Sequence, residues 1–246
     1  PALGIRYCDG QQSDARLMML EYQMMGTKDL TAPVRRISPK DGRHYFYGYY
    51  DNNAFSADGT RHLCHRVRFM DRLPEADDPS DIGVLDLSTG DFTALDETRA
   101  WNFQQGCMLE WNPANPDEVL YNVWHAGEYR CTALNTSTGV RRIIGPALAD
   151  VSPDGRYGLA LNFARIYDFR PGYGYCQLRD PWFDTAMPAD DGVTLVDMRT
   201  GSCRLLFSYR QLGSLFNTSS DLQKRKIVIN HITFNRTSNR FLFLLR

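Results

Sequence analysis

A short motif that occurs three times along the chain constrains its fold more than any other feature. Each copy has a few apolar residues and ends on Thr-Gly, and the copies are Ile82–Gly90, Cys131–Gly139 and Val193–Gly201. Glycine adopts the positive φ of a tight hairpin without steric cost, so each copy predicts a strand that ends in a turn. A further apolar run follows each turn and predicts a second strand, antiparallel to the first.

A second motif, rich in turn residues, precedes each copy of the first. Ser-Pro-Asp-Gly at 152–155 leads into the apolar stretch Arg156–Phe163, and Ser-Ala-Asp-Gly at 56–59 leads into Arg61–Val67. Proline presets φ, aspartate caps the turn and glycine takes the left-handed position. One unit therefore contains four antiparallel strands, and a repeat of 40–60 residues with this content is typical of a β-propeller blade.

The sequence thus predicts an all-β fold, a β-propeller of four-stranded antiparallel blades. Propellers close with roughly four to eight blades, and we expect seven in the complete protein, of which about three and a half are present here. Residues 1–43 are expected to form an N-terminal segment, in which Ala15–Met25 is the best helical candidate. The blades are predicted at about 44–97, 100–145, 147–208 and, incomplete, 226–246.

Composition excludes some functions. The formal net charge is −1, which gives no bulk electrostatic reason to expect nucleic acid or a membrane surface as partner. No apolar run reaches the roughly 18–20 residues that span a bilayer, and the six cysteines contain no CxxC pair. Both ends of the sequence look cut, so the missing signal peptide is uninformative. We expect a monomer when the protein is complete.

Polar and aromatic residues accumulate where each blade opens towards one face of the propeller. In this topology the first strand starts and the second strand ends at that face. His44, Tyr47, Tyr49 and Tyr50 mark the first blade there, although each tyrosine could instead pack between blades. The other candidates on the same rim are His65, Gln104, Gln105, Tyr121, Asn122, His125, Asn162, Arg165 and His231.

The longest connection, residues 164–191, follows the second strand of the third blade. Long loops in compact folds are usually functional or disordered, and the aromatic and arginine content of this one argues against disorder. Its Tyr167 and Arg170 suit stacking on sugar rings and binding of their carboxylates. The residues expected to bind substrate are Tyr47, Tyr50, Gln104, Gln105, Asn122, Asn162, Tyr167 and Arg170.

The motifs resemble known families. The Ser-Pro-Asp-Gly and Thr-Gly turns resemble TolB-like propellers. His44–Asp51, Cys64–Val67, Ala100–Gly106 and Ile229–Asn235 resemble the propeller polysaccharide lyases, more closely the ulvan lyases than the related oligogalacturonate lyases. The resemblance covers residues 40–246. It implies β-elimination on a uronic-acid polysaccharide by a periplasmic or secreted protein.

The same resemblance implies roles for individual residues. β-Elimination needs a neutralised uronate carboxylate, a base for the C5 proton and an acid for the departing oxygen. His44 and His65 match the two rim histidines of the family, one as the base and the other as the acid or a substrate-positioning residue. Tyr121 is the candidate phenol. Arg165 is the candidate neutraliser, with Arg170 as the alternative.

The sequence leaves alternatives open for both the cofactor and the activity of the protein. The resemblance implies a divalent metal, zinc, calcium or manganese, for which only His231 and Gln105 are suitably placed, and no organic cofactor is expected. A non-catalytic propeller that binds a glycan or a protein is the first alternative to a lyase. A glycoside hydrolase is the second, and it would need two facing carboxylates from among Asp51, Glu110 and Asp168.

Overall fold

The structure is a computed structural model that describes residues 34–215 and 225–246. The predicted helix at Ala15–Met25, like most of the N-terminal segment, lies outside the described residues. From Ile37 to Arg246 the chain forms one compact unit. Among the described residues, no helix is both long and apolar enough to cross a membrane.

Within the described residues, four antiparallel sheets follow one another in sequence, each with its strands in chain order. The first blade contains β1 (His44–Phe46), β2 (Arg61–Val67), β3 (Ser80–Asp86) and β4 (Phe92–Thr98). The second contains β5 (Glu110–Trp111), β6 (Glu118–His125), β7 (Glu128–Asn135) and β8 (Arg141–Pro146). The third contains β9 (Leu148–Val151), β10 (Tyr157–Ala160), β11 (Gly192–Asp197) and β12 (Cys203–Ser208). The fourth sheet pairs β13 (Ile229–Phe234) with β14 (Phe241–Leu245). The predicted β-propeller fold is confirmed, whereas the number of blades in the complete ring stays a prediction.

The Thr-Gly hairpins owe their shape to the residue that starts each turn. In the first blade, Asp86 Oδ1 accepts hydrogen bonds from the backbone N–H groups of Ser88 (2.8 Å) and Thr89 (3.0 Å), and Gly90 has a φ of +80°. Asn135 and Asp197 accept the equivalent pairs of bonds in the next two blades. A short polar side chain followed by a left-handed glycine therefore fixes the same hairpin three times.

Neighbouring blades hold together through apolar side chains that both sheets contribute. Between the first and second blades, Leu63 and Ile82 pack in one cluster with Trp101, Val119 and Leu134, all of them nearly inaccessible to solvent. Burial of one such side chain stabilises a fold by roughly 1.5–3 kcal/mol. Each sheet is therefore stable only with a neighbour on its face, as expected for stacked repeats.

Strand β1 leaves the sheet after only three residues, which the sequence did not predict. The chain departs at Tyr47 and returns at Phe55, which bridges to His62 of β2. At Gly48 the φ is +112°, and a Cβ there would lie 2.7 Å from the backbone nitrogen of Gly106. Only glycine fits this crossing, so the loop 47–54 presses against the start of the second blade.

The third blade differs from prediction after its second strand. The strand expected over Arg156–Phe163 ends at Ala160, and helix α1 (Phe163–Phe169) begins where only a loop was expected. A second short helix, α2 (Tyr209–Ser214), follows β12. Both helices are too short for a visible 3.6-residue repeat, and their caps, Asn162 and Ser208, are polar residues that also suit turns.

Asn122 joins the second blade to the third. Its Nδ2 donates to the Leu148 carbonyl (2.8 Å) and to the Tyr175 hydroxyl (3.0 Å), and its Oδ1 accepts from the Leu148 N–H (2.9 Å). The side chain is 1% exposed. We expected this residue to bind substrate, but its polar atoms are occupied inside the protein, where a carboxamide replaces a missing pair of backbone hydrogen bonds.

Replacement of Asn122 by leucine should lower the free energy of unfolding by about 3 kcal/mol, because buried groups of Leu148 and Tyr175 lose their partner. Urea denaturation followed by circular dichroism measures this change. Thr132→Val is the matched control, since that buried hydroxyl has no partner and its loss should cost nothing. Equal free energies of unfolding for both variants would contradict the structural role of Asn122.

Candidate functional site

Three side chains from the first and fourth blades converge. The hydroxyl of Tyr49 lies 3.1 Å from Nδ1 of His231, and the hydroxyl of Tyr50 lies 3.3 Å from the same nitrogen. The tyrosines come from the loop 47–54 and the histidine from β13. Sequence reasoning placed all three on one rim but did not pair them, because 182 residues separate Tyr49 from His231.

A break in the β13–β14 ladder directs His231 towards the tyrosines. The register of the two strands shifts between Asn230 and Thr233, and His231 has a φ of +50°. Positive φ is uncommon for a residue other than glycine, and it costs roughly 1–3 kcal/mol where surrounding structure imposes it. Such strained bulges concentrate at functional sites, where they aim a side chain out of the sheet.

The environment keeps His231 neutral and Tyr49 protonated near pH 7. Burial lowers the pKa of His231, the charge of Arg246 lowers it further, and Asp51 acts in the opposite direction. Burial raises the pKa of Tyr49, with smaller contributions from Tyr50 and Asp51. Tyr49 is 5% exposed and Tyr50 66% exposed, so Tyr50 is the phenol that a ligand can reach. We call Tyr49, Tyr50 and His231 the tyrosine–histidine cluster.

Two carboxyl groups lie on the first strands of the second and third blades. Asp150 of β9 accepts a hydrogen bond from the Phe234 N–H (2.6 Å), and burial raises its pKa to about 6, to which the charge of Asp51 contributes. Burial also raises the pKa of Glu110 on β5, and the charge of Asp150 adds to this shift. Both carboxyls therefore hold their protons more tightly than an ordinary acid does.

His65, predicted to be catalytic, lies inside the interface between the first two blades. It is 0% exposed, its ring stacks on Phe46 at 4.8 Å, and its Nε2 accepts the Cys107 N–H at 3.1 Å. A Cβ on Gly106 would lie 2.4 Å from its Cε1. Burial lowers the pKa of His65 to about 4. The ring is therefore a neutral packing element in this structure.

His44 begins β1, as predicted, and shares a blade with His65. The register pairs His44 with Val67 and Phe46 with His65. Because alternate residues of a strand share a face, His44 points to the same side of the sheet as Phe46 and His65. His44 is half-buried at the rim, so it keeps the access to solvent that His65 lacks.

Tyr121 lies in the middle of β6 rather than at its end. Its hydroxyl donates to Asp96 of β4, which also accepts a hydrogen bond from Arg141 (2.7 Å). Burial raises the pKa of Tyr121, and the Asp96 carboxylate adds to the effect. The hydroxyl thus joins the second strand of the second blade to the fourth strand of the first, and this structure does not bring it to His44 or to His231.

Arg165, the predicted neutraliser, is buried in helix α1 with its donors occupied. It forms an ion pair with Asp180 (3.1 Å), with both side chains 0% exposed, and its Nε donates to the Ile227 carbonyl (2.9 Å). Its guanidinium also lies over the Tyr209 ring at 4.4 Å. Asn162 caps the same helix and donates to Asp180, so neither residue faces a ligand.

The remaining predicted binding residues divide between interior and surface. Tyr47 donates to the Leu109 carbonyl (2.8 Å), and the buried Gln105 accepts from the Gly174 N–H (3.3 Å). On the accessible side are Gln104, Tyr167 and Arg170, whose guanidinium covers the Tyr173 ring at 4.5 Å.

The residues predicted to bind a metal do not form a common site. Gln105 faces Gly174, while Nδ1 of His231 is engaged by the two tyrosines. Within residues 34–215 and 225–246, no three His, Cys, Asp or Glu side chains are grouped so as to hold a metal ion. This donor set does not fit a divalent ion.

Comparison with known proteins places the chain only by its fold. No protein-family model matches it, and no curated protein is significantly similar. An oligogalacturonate lyase from Vibrio parahaemolyticus superposes with a TM-score of 0.47 at 15% identity over 74% of this chain and 45% of its own. A putative TolB from Agrobacterium tumefaciens superposes with a TM-score of 0.40 at 18% identity, and the match covers 67% of this chain and 50% of that protein. A putative dipeptidyl aminopeptidase IV from Bacteroides ovatus superposes with a TM-score of 0.48 at 8% identity, and the match covers 83% of this chain and 26% of that protein. The chain thus spans half or less of each structure.

The buried, neutral His65 should make the protein acid-sensitive. The unfolded chain takes up this proton near pH 6.5 and the folded chain only near pH 4. The free energy of unfolding should therefore fall as pH drops from 6.5 to 4, by about 3 kcal/mol from this group. Urea titrations at several pH values measure the slope. His65→Gln should flatten it and the exposed His125→Gln should not, whereas parallel curves for wild type and His65→Gln would refute the assignment.

Proposed function

We propose that the protein is a lyase that cleaves a uronic-acid polysaccharide, of the ulvan type, by β-elimination at the tyrosine–histidine cluster. The observation that carries this proposal is the convergence of the Tyr49 and Tyr50 hydroxyls on one nitrogen of His231. A phenol and an imidazole in direct contact can exchange a proton, which is the chemistry that β-elimination needs.

The proposed step moves one proton across the sugar. Tyr50 passes its hydroxyl proton to His231 as it removes the C5 proton of the uronate. The C4–O bond then breaks, a C4=C5 double bond forms, and the departing oxygen receives a proton from Tyr50, which His231 restores. The lowered pKa of His231 keeps its imidazole neutral at pH 7, so the ring can accept the proton.

Neutralisation of the substrate carboxylate falls to Arg246 in this proposal. The backbone of Arg246 pairs with Val228 (2.8 and 2.9 Å), which holds it beside β13, and its charge already acts on His231. A guanidinium binds a carboxylate with two parallel hydrogen bonds. It replaces Arg165, whose guanidinium is committed to Asp180 and to backbone carbonyls.

Substrate class and location follow from the resemblance of the sequence to propeller lyases. An acidic polysaccharide meets the protein at the rim that carries His44 and Tyr50. Such polymers lie outside the cytoplasm, so we propose a periplasmic or secreted protein.

Ultraviolet absorbance of the C4=C5 double bond tests the proposal directly. The purified protein is mixed with ulvan, polygalacturonate and other uronic-acid polymers. One polymer should give rising absorbance, and Tyr50→Phe and His231→Gln should each reduce kcat by at least about 100-fold. Tyr45→Phe, whose hydroxyl binds Asp41 away from the cluster, is the matched control and should keep full activity.

Other outcomes would move the site or reject the function. Loss of activity in His44→Ala with activity kept in His231→Gln would place catalysis at the first blade alone. Binding of a polymer without any product from the folded protein would reject the lyase in favour of a glycan-binding propeller.

The carboxyl pair favours a glycoside hydrolase as second candidate. Retaining and inverting hydrolases need one protonated and one ionised carboxyl. Burial and the charge of Asp150 raise the pKa of Glu110, which fits the protonated partner, while Asp150, with a pKa of about 6, is ionised at pH 7. New reducing ends without absorbance of a double bond, abolished in Glu110→Gln, would select this activity.

A further inference from the structure

A pocket of about 170 Å³ opens at one end of the first blade, and none of its lining residues belongs to the tyrosine–histidine cluster. Arg43, Arg66 and Arg68 supply three guanidinium groups, and Asp81 and Glu97 supply two carboxylates. The volume is below that of small-molecule sites, which measure roughly 300–1,000 Å³. The pocket therefore suits a small ion better than an extended ligand.

Strand register places the charged side chains on the face of the first blade that points away from the second. Glu97 of β4 pairs with Asp81 of β3, and Asp81 pairs with Arg66 of β2. Since directly opposite residues of neighbouring strands share a face, these three point the same way. Asp96 and Thr98, on either side of Glu97, point the other way and form hydrogen bonds with the second blade, as strand alternation requires.

Arg43 and Arg68 bring two like charges together. His44 pairs with Val67, and the two arginines occupy the next positions outward in the same register. Like charges at directly opposite positions destabilise a strand pair. In the part of the chain that the structure describes, neither guanidinium forms an ion pair with a carboxylate. An anion bound between them would remove the repulsion and give both groups an acceptor.

Arg66 adds a third donor whose position is fixed. Its Nε and Nη2 lie 2.8 and 2.7 Å from one oxygen of Asp81, and its guanidinium lies over the Phe92 ring at 4.5 Å. An arginine carries five N–H donors, so contacts with one oxygen leave others for a ligand. A single guanidinium satisfies a carboxylate with two parallel hydrogen bonds. Three arginines therefore exceed the needs of a carboxylate and match the four oxygens of a tetrahedral anion.

Glu97 distinguishes between tetrahedral anions. Its carboxylate forms no ion pair with another described residue, although three arginines line the same pocket. An ionised carboxylate only accepts hydrogen bonds. Hydrogen phosphate has an O–H group that can donate to it, whereas sulfate has no proton at pH 7 and is repelled. A phosphate monoester, with a second pKa of about 6, has also lost most of its O–H at this pH.

We propose that this pocket binds inorganic phosphate in its hydrogen phosphate form. The guanidinium groups of Arg43, Arg66 and Arg68 donate to the phosphate oxygens, and the Glu97 carboxylate accepts the phosphate O–H. The arrangement explains why arginines and a glutamate share the pocket without all of them pairing with one another. The site stands on its own observations and does not depend on cleavage at the tyrosine–histidine cluster.

Isothermal titration calorimetry with sodium phosphate, sulfate and acetate, at pH 7 and constant ionic strength, tests the site. Phosphate should bind the wild-type protein saturably, and sulfate and acetate at least about tenfold more weakly, the equivalent of one hydrogen bond to a charged group. Arg43→Gln and Arg68→Gln should each weaken phosphate binding by the same factor. Arg240→Gln, which removes an exposed arginine of the fourth sheet, is the matched control and should bind as wild type does. Melting temperatures verify that each variant is folded.

Glu97→Gln tests the selectivity separately. The amide can donate as well as accept, so sulfate should bind this variant at least about fivefold more tightly than it binds wild type, and the preference for phosphate should narrow. Asp91→Asn makes the equivalent change at an exposed residue before β4, outside the pocket, and should leave the preference unchanged.

Four results would overturn the proposal. Failure of phosphate to bind the wild-type protein saturably would reject the site, and so would full phosphate affinity in both Arg43→Gln and Arg68→Gln. Acetate that binds as tightly as phosphate would identify a carboxylate site instead. Equal affinities of the wild-type protein for phosphate and sulfate would remove the role of Glu97 and with it the assignment to hydrogen phosphate.

Discussion

Each blade of this protein must cover its faces with another blade, and the rest of the structure depends on that packing. Large apolar side chains meet between the sheets, and the polar groups caught there are paired individually. Asn122 satisfies the backbone of Leu148, and His65 accepts the Cys107 N–H. Because a buried polar group without a hydrogen-bond partner lowers the stability of the fold, these polar residues are constrained in position as strictly as the apolar ones. Tight interfaces leave function to the segments that depart from the sheets, such as the loop 47–54.

The sequence was sufficient for the fold because the information is local. A turn of four or five residues, such as Ser152–Gly155 or Asp86–Gly90, carries its own hydrogen bonds and its own glycine. Repetition of those turns fixes strand order and blade boundaries. The turn motifs do not predict where β1 and β10 end, and both strands are shorter than the sequence indicates; helix α1 follows the second of them. No turn motif marks Tyr47, and the cap of α1 is a single asparagine.

The candidate site was harder to predict, because residue type and blade position do not give burial. His65, Tyr121 and Arg165 are chemically suited to catalysis, and their blade positions predict a place on the rim, yet each is enclosed and paired. The sequence does not distinguish an arginine that forms a buried ion pair with an aspartate from one that binds a substrate carboxylate. Conversely, the contact of Tyr49 and Tyr50 with His231 depends on the early end of strand β1 and on a bulge three blades later, in β13. Neither leaves a sequence signal beyond the unusual density of tyrosines around Gly48.

The long separation in sequence between the loop 47–54 and His231 has a consequence for how the protein folds. Hairpins within a blade close over short loops and form early, whereas contacts between distant segments wait for the chain between them to be ordered. The Tyr49–His231 contact spans 182 residues, so it can form only after the second and third blades have docked. During refolding, native strand content should therefore recover before the pairing of these two rings, and partly folded molecules would contain blades but no cluster.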